Sequence, residues 1–150
     1  MDNEQKQMVH QLFMEIVRYF DNDYSVVEGE EFTATFSTKI ITYTFQAYVV
    51  DFYFIQDMYR RAGPRFPLLS SIICCLFHEI GHLEMADELI DDRVERNAAM
   101  NDTEMGLLES FEMYSQFINE RNATNWAIAF IRENVELVEG WDRRFRAITQ

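Results

Sequence analysis

The sequence predicts a single α+β domain over residues 1–150, in which a small antiparallel sheet near the N-terminus is preceded and followed by helices. Residues 4–20 have apolar side chains at helical spacing, and residues 24–50 are rich in β-branched and aromatic side chains. After Pro67 the chain returns to helical patterns. A length of 150 residues suits one domain with its own hydrophobic core.

The first predicted element is an amphipathic helix over residues 4–20, and residues 21–23, Asp-Asn-Asp, form a turn that closes it. Its apolar positions are Met8, Leu12, Phe13, Ile16, Val17 and Phe20. Alternating or β-branched runs at residues 32–36 and 39–45 then predict two or three antiparallel strands. We expect residues 47–61 to form a further strand that passes into a short helix.

A clear break follows at residues 63–67, Gly-Pro-Arg-Phe-Pro. Pro67 suits an early position of the next helix, which we expect to run to about Met85. Residues 86–102 are charged and weakly periodic, which predicts a short surface helix and a loop.

The remaining chain is predicted to be helical with two interruptions. One long helix is expected from about residue 102 through Glu120, with a break around residues 119–125. Helical spacing continues over residues 123–138. Gly140 then interrupts the helical pattern, and residues 141–148 are predicted to form one or two last amphipathic helical turns.

Composition limits the classes of function. Hydrophobic residues make up 48% of the chain and aromatic residues 15%, which is typical of a folded protein. The formal net charge of −13 argues against direct binding of nucleic acid over a broad surface, because such binding requires Lys and Arg to neutralise phosphates. The acidic charge instead favours solubility or a basic partner.

The chain is expected to be cytoplasmic. Its polar start has no secretory signal pattern, and its longest mostly apolar stretch, residues 66–77, is too short to span a membrane. Cys74 and Cys75 are adjacent, so they point in different directions on a helix, and we expect them to be buried free thiols.

The most informative motif is residues 78–82, His-Glu-Ile-Gly-His, at the end of an apolar run. On a helix, His78 and His82 stand one turn apart on one face, and two imidazoles so placed can bind one zinc ion. Glu79 is then placed to act as general base for a water molecule at that ion. The alternative is a metal-free, hydrogen-bonded histidine pair. Gly81, which permits close packing of helices, and carboxylates downstream favour the metal site.

A catalytic zinc ion usually has three protein ligands and one open position. The only other histidine, His10, lies far upstream of the motif. The remaining option is a carboxylate on a later helix, and the candidates are Glu104, Glu109, Glu112 and Glu120.

Residues 120–127, Glu-Arg-Asn-Ala-Thr-Asn-Trp-Ala, resemble the E-x-E-A-N-x-F-A signature of the ImmA/IrrE family of small zinc metallopeptidases. In that family the signature follows the HExxH motif on the next long helix, and its first Glu is the third zinc ligand. The resemblance covers roughly residues 65–131. Asn122 and Thr124 stand where the signature has its second Glu and its Asn.

The resemblance implies a minimal zincin-like fold, a small sheet packed on the active-site helix, and a gluzincin ligand set. The implied zinc ligands are His78, His82 and Glu120, with Glu79 as general base. Ala123 and Ala127 lie on the same helical side as Glu120, and small residues there let two helices approach closely.

The expected activity is zinc-dependent cleavage of a specific protein partner. Family resemblance implies a transcriptional repressor of a phage or other mobile element as the substrate, and an acidic surface suits a basic DNA-binding protein. One alternative is a zincin-fold binding protein that sequesters a partner without proteolysis. Another is an acidic mimic of nucleic acid in which the motif is fortuitous.

Further residues are candidates for supporting roles. In zincins a strand before the motif helix commonly pairs with substrate backbone, and residues 39–45 are the candidate here; their alternation predicts a strand but does not indicate an edge. Oxyanion stabilisation has four tyrosine candidates: Tyr43, Tyr48, Tyr53 and Tyr114. Glu84, Asp87 and Asp91 lie downstream as candidate partners that orient the histidines, but a solvated run of charges is the favoured interpretation for most of them.

Overall fold

A computed structural model describes residues 1–46, 49–89 and 118–150 of the chain. Its elements in chain order are α1 (Asn3–Phe20), β1 (Ser25–Glu28), β2 (Thr33–Thr35), β3 (Ile40–Tyr43), α2 (Val49–Ala62), α3 (Ser71–Glu84), a 3-10 turn (Ala86–Glu88), α4 (Ile118–Glu133) and α5 (Val135–Thr149). The predicted α+β class is confirmed: α1 and α3 pack on the small sheet, and the other described helices pack on helices.

Helix α1 agrees with the sequence prediction. Asp2 caps its N-terminus by accepting a hydrogen bond from the backbone N–H of Gln5, and the Gln5 side chain bonds back to the backbone N–H of Asp2. The buried face consists of Val9, Leu12, Phe13, Ile16 and Val17. This face packs against β1 and α5, so α1 closes one side of the core.

The sheet is mixed, so the prediction of an antiparallel sheet was wrong in part. The strand order is β1-β3-β2: β3 pairs in parallel with β1 and antiparallel with β2. Residues 29–32 join β1 to β2 across the end of β3, a separation of about 10 Å that four residues can span. A strand pattern in the sequence is local and does not specify which strand lies in the middle.

Gly29 explains how this connection crosses β3. Its N–H donates to the carbonyl of Tyr43, and a Cβ at residue 29 would lie less than 3.0 Å from Cγ2 of Thr42. A glycine therefore lets the connection lie directly on the end of β3.

The candidate strand for substrate pairing is the central one. β3 lies within residues 39–45 and has a neighbour on each side, so it has no edge available for substrate. On the β1 side, α1 approaches closely, with the N–H of Val26 3.3 Å from the sulfur of Met14. Among the described strands, β2 forms the other edge of the sheet, and α3 packs against it.

The stretch expected to contain a further strand is helical. α2 begins at Val49 although its first half is rich in β-formers, and no strand is described there. Met58 and Ala62 are buried at helical spacing, and Asp57 pairs with both Arg60 and Arg61. Gly63 ends the helix with a φ of 84° and donates its N–H to the carbonyl of Tyr59.

Helix α3 begins at Ser71, later than the predicted start near Pro67. The Tyr59 hydroxyl donates to the carbonyl of Pro67 and accepts from the N–H of Leu69, which holds the preceding residues in a non-helical path. The N–H of Ser70 donates to the buried carboxylate of Asp142 on α5. Tertiary hydrogen bonds therefore fix where the helix begins.

The two predicted interruptions in the C-terminal helices are absent. α4 continues through residues 119–125, and α5 continues through Gly140. The predicted surface helix over residues 86–102 is described only as the 3-10 turn Ala86–Glu88, and the helix predicted from residue 102 lies outside the described residues until Ile118.

Cys74 and Cys75 are buried free thiols, as predicted. Within the described part of the chain, none of the helices combines the length and apolar character needed to cross a membrane.

Candidate metal centre

Helix α3 brings the two histidines of the motif together. It is almost entirely buried, because its apolar residues face the sheet, α2 and α4. His78 and His82 stand one turn apart, with ring centroids 4.6 Å apart and ring planes nearly perpendicular. The side chain of His78 is 7% exposed and that of His82 is 14% exposed, so this pair faces the interior with limited access to solvent.

Glu120 on α4 points its carboxylate at both rings. Its Oε2 atom lies 3.4 Å from Nε2 of His78 and 2.6 Å from Nε2 of His82. The residue is buried, so the carboxylate and the imidazoles meet in a low-dielectric environment. Of the four carboxylates considered from the sequence, Glu120 is the one within the described residues; Glu104, Glu109 and Glu112 lie outside them.

The charge state of Glu120 follows from these contacts. Burial by itself would raise the pKa of the Glu120 carboxyl, but hydrogen bonds from His78 and His82 and the positive charge of the two rings hold that pKa well below its usual range. The carboxylate is therefore ionised at neutral pH. An anionic oxygen beside two imidazole nitrogens favours a positive charge at this place. Protonated rings or a metal ion can supply that charge.

A close approach of α3 and α4 makes this convergence possible. A Cβ at Gly81 would lie less than 3.0 Å from the carbonyl oxygen of Ala123 and 3.1 Å from the Cα of Ala123. Ala123 and Ala127 are both completely buried. Gly81 and Ala123 thus lie at a close approach of α3 and α4, as expected of small residues there.

Thr124 supplies a partner for the other nitrogen of a histidine. Its Oγ1 lies 3.1 Å from Nδ1 of His78, and it is 3% exposed. When Nε2 of His78 acts as a ligand, Nδ1 carries the proton and donates to the Thr124 hydroxyl, which fixes the orientation of the ring. Sequence reasoning noted Thr124 only as a departure from the signature. The sequence feature that points to it is its position four residues after Glu120, one turn along the same helix.

The described acidic residues considered as partners of the histidines, Glu84 and Asp87, are exposed, as the favoured interpretation of a solvated charged run predicts. Glu84 forms a hydrogen bond with Tyr24, and partial burial raises the pKa of its carboxyl. Asp87 is exposed in the 3-10 turn, and Asp91 lies outside the described residues.

Two phenylalanines flank the histidine pair. Phe54 of α2 packs edge-to-face on His78, with ring centroids 4.3 Å apart. Phe36, directly after β2, approaches His82 edge-on at 6.4 Å. These contacts place α2 and the β2–β3 turn beside the candidate centre.

Tyr43 and Tyr53 are the tyrosines considered for oxyanion stabilisation that lie within the described residues. Tyr43 is buried with its hydroxyl 3.3 Å from Nδ1 of His10, and burial raises its pKa to about 12. Tyr53 precedes Phe54 on α2. Tyr48 and Tyr114 lie outside the described residues.

The arrangement is chemically competent to bind a metal ion. His78, Glu79 and His82 each offer a ligand atom, and these atoms lie within 4.8 Å of one another. Glu79 is buried at 8% exposure immediately beside His78. From the opposing helix, Glu120 Oε2 lies 3.4 Å from Nε2 of His78 and 2.6 Å from Nε2 of His82.

Comparison with known proteins does not assign the chain to a family: no family model, no curated protein and no solved structure matches it. The resemblance to the ImmA/IrrE signature therefore depends on the motif residues themselves.

Proposed function

We propose that the protein is a zinc-dependent endopeptidase that cleaves a specific protein partner. The observation that carries the proposal is the convergence of His78 Nε2, His82 Nε2 and Glu120 Oε2 from two buried helices. Two histidines and one carboxylate form a donor set of catalytic zinc sites, which keep a fourth position open.

The distances are compatible with this ligand set. Two donors bound tetrahedrally at 2.0–2.1 Å from one ion are about 3.3–3.4 Å apart. The His78–Glu120 separation of 3.4 Å fits this value as it stands. The His82–Glu120 separation of 2.6 Å is a hydrogen-bond distance, and zinc binding requires these atoms to separate by about 0.7 Å.

When bound, zinc would lower the pKa of a water molecule and polarise the carbonyl of the scissile peptide bond. Glu79 would accept the proton of the attacking water and deliver it to the nitrogen of the leaving amine. Thr124 would hold His78 in its ligating orientation through Nδ1. Gly81 would keep α3 against α4, so that Glu120 stays in reach of both histidines.

The edge of β2 supports an extended peptide as the substrate. An extended chain can add to an open sheet edge through backbone hydrogen bonds. β2 leads directly to Phe36, which lies beside His82. A peptide paired with β2 would therefore pass the candidate centre.

The net charge of −13 supports a basic partner. We propose a DNA-binding transcriptional repressor of a phage or other mobile element as the protein substrate, in line with the resemblance of residues 120–127. Contact with the repressor protein, and not with its DNA, is the interaction that an acidic surface favours.

The first test is metal content, measured by mass spectrometry on protein purified without added metal. We expect about one zinc per chain in the wild type, from the single three-ligand site, and loss of zinc in both His78→Ala and Glu120→Ala. Zinc lost only in His78→Ala would shift the third ligand to Glu109 or Glu112. A wild type that takes up no zinc when zinc is offered would overturn the proposal.

The second test separates proteolysis from binding. Zinc-loaded wild type and Glu79→Gln are incubated with a peptide library made from a host proteome, and new N-termini are identified by mass spectrometry. We expect cleavage by the wild type alone, because the variant lacks the general base but keeps the ligands. Equal partner-directed activity of both proteins in the cell would favour sequestration without cleavage.

A further inference from the structure

Phe36 occupies an unusual position for an aromatic residue. It lies in the turn between β2 and β3, where the following residues, Ser37, Thr38 and Lys39, are polar and exposed. Its own side chain is 37% exposed, whereas Phe13 and Phe77 of the core are completely buried. Burial in the core therefore does not account for an apolar ring at this turn.

The contact of Phe36 with the candidate centre gives the ring a defined place. Its centroid lies 6.4 Å from that of His82, and the two ring planes are nearly perpendicular. On the other histidine, Phe54 packs at 4.3 Å from His78 and is half-buried. Phe54 thus packs behind His78, whereas Phe36 keeps part of its ring exposed beside His82.

Phe36 lies at the end of β2, the strand with which a peptide substrate is proposed to pair. Phe36 follows Thr35, the last residue of β2, so a chain extended along β2 reaches Phe36 and His82 together. In an extended chain alternate side chains face the same way, so one substrate side chain next to the scissile bond would face the exposed part of the ring.

We propose that Phe36 is a specificity-determining residue that selects a bulky apolar side chain beside the cleaved bond. The inference rests on the proposed function, because it assigns a substrate class to the same site. Contact with an aromatic ring removes apolar surface of the substrate from water, and a small or charged side chain gains little from this contact.

The test uses two zinc-directed ligands and does not depend on turnover. Acetohydroxamate and 3-phenylpropanohydroxamate share the metal-binding group and differ in the phenyl group. Their affinities for the zinc-loaded protein are measured by calorimetry. We expect the wild type to bind the phenyl compound at least about tenfold more tightly than acetohydroxamate. In Phe36→Ala this ratio of affinities should fall to about two- to threefold. Acetohydroxamate should bind both proteins equally.

Phe52→Ala is the matched control, since Phe52 is an exposed phenylalanine of α2 at 59% exposure. We expect it to keep the wild-type ratio of affinities. Zinc content and melting temperature are recorded for each variant, so that misfolding is not mistaken for lost selectivity.

Four outcomes would overturn the inference. An unchanged ratio in Phe36→Ala, or a ratio lost in Phe52→Ala instead, would contradict the role of Phe36. A wild type that binds both compounds equally would contradict apolar selection while leaving the zinc site intact. A zinc-loaded wild type that binds neither compound would contradict the proposed function and this inference with it.

Discussion

Gly81 lies against the backbone of Ala123, so that a Cβ at residue 81 would come within 3.0 Å of the Ala123 carbonyl oxygen. This contact joins the helix that carries His78 and His82 to the helix that carries Glu120. The separation between Glu120 and the two histidines therefore depends on the absence of one methyl group.

We expect Gly81→Ala to lower both stability and zinc affinity. The added methyl group must push α4 away from α3, and overpacking of this kind costs about 1–3 kcal/mol. The free energy of unfolding is measured in urea on metal-free protein, and zinc affinity by competition with a chromophoric chelator. Gly140→Ala is the control, because its Cβ would lie 3.8 Å from Arg143 and meet no backbone. It should raise stability by about 0.5–1 kcal/mol. Equal behaviour of the two variants would contradict the role of the Gly81 contact.

We expect Thr124→Val to weaken zinc binding by about 10–100-fold, the usual effect of losing a partner of a ligating histidine. Valine keeps the shape of threonine but cannot accept the hydrogen bond from Nδ1 of His78. Thr124→Ser keeps the hydroxyl and should retain most of the affinity. A serine variant as weak as the valine variant would show that packing, and not the hydrogen bond, is what matters at this position.

The metal-free protein should lose stability at acid pH through Glu120. The pKa of its carboxyl is lower in the folded protein than in the unfolded chain, so the carboxylate stabilises the fold above the unfolded value of about 4.3. This contribution is lost as the pH falls through the lowered pKa. Urea unfolding of chelator-treated wild type and Glu120→Gln between pH 3 and pH 7 checks this. The difference in stability between the two proteins should shrink as the pH falls; a constant difference would contradict the assignment.

Cys74 should be inert in the folded protein. Burial raises the pKa of its thiol to about 12, so almost no thiolate is present at pH 8. In a Cys75→Ser background, reaction with a disulfide reagent should be slow under native conditions and rapid in denaturant. Fast reaction of the native protein would show that the N-terminal half of α3 opens readily.

The elements that sequence reasoning predicted well are those whose pattern is local. The amphipathic spacing of α1 and the buried helix with the motif followed directly from periodicity. Glu120 was found because residues 120–127 resemble a family signature, and its carboxylate lies beside both histidines. Whether it binds zinc is a matter for the metal-content experiment.

The elements that were predicted wrongly depend on contacts between distant residues. The order of strands places β3 between β1 and β2, which no strand pattern can indicate. A break is predicted around residues 119–125, but α4 is continuous there and Ala123 packs on Gly81. The start of α3 is fixed by Asp142, which lies far along the chain. Thr124 reaches Nδ1 of His78 only because α4 packs against α3.

Because Glu120 and the two histidines lie on different helices, binding of an ion and docking of α4 would stabilise each other. The three donors are brought together only when α4 is docked, so the intact fold supplies the third donor at a high effective concentration, as a chelate does. An ion at 1,000 times its Kd would stabilise the folded chain by about 4 kcal/mol. The same energy would link release of the ion to undocking of α4, and a chain cut between the two helices would retain only a weak, bidentate grip.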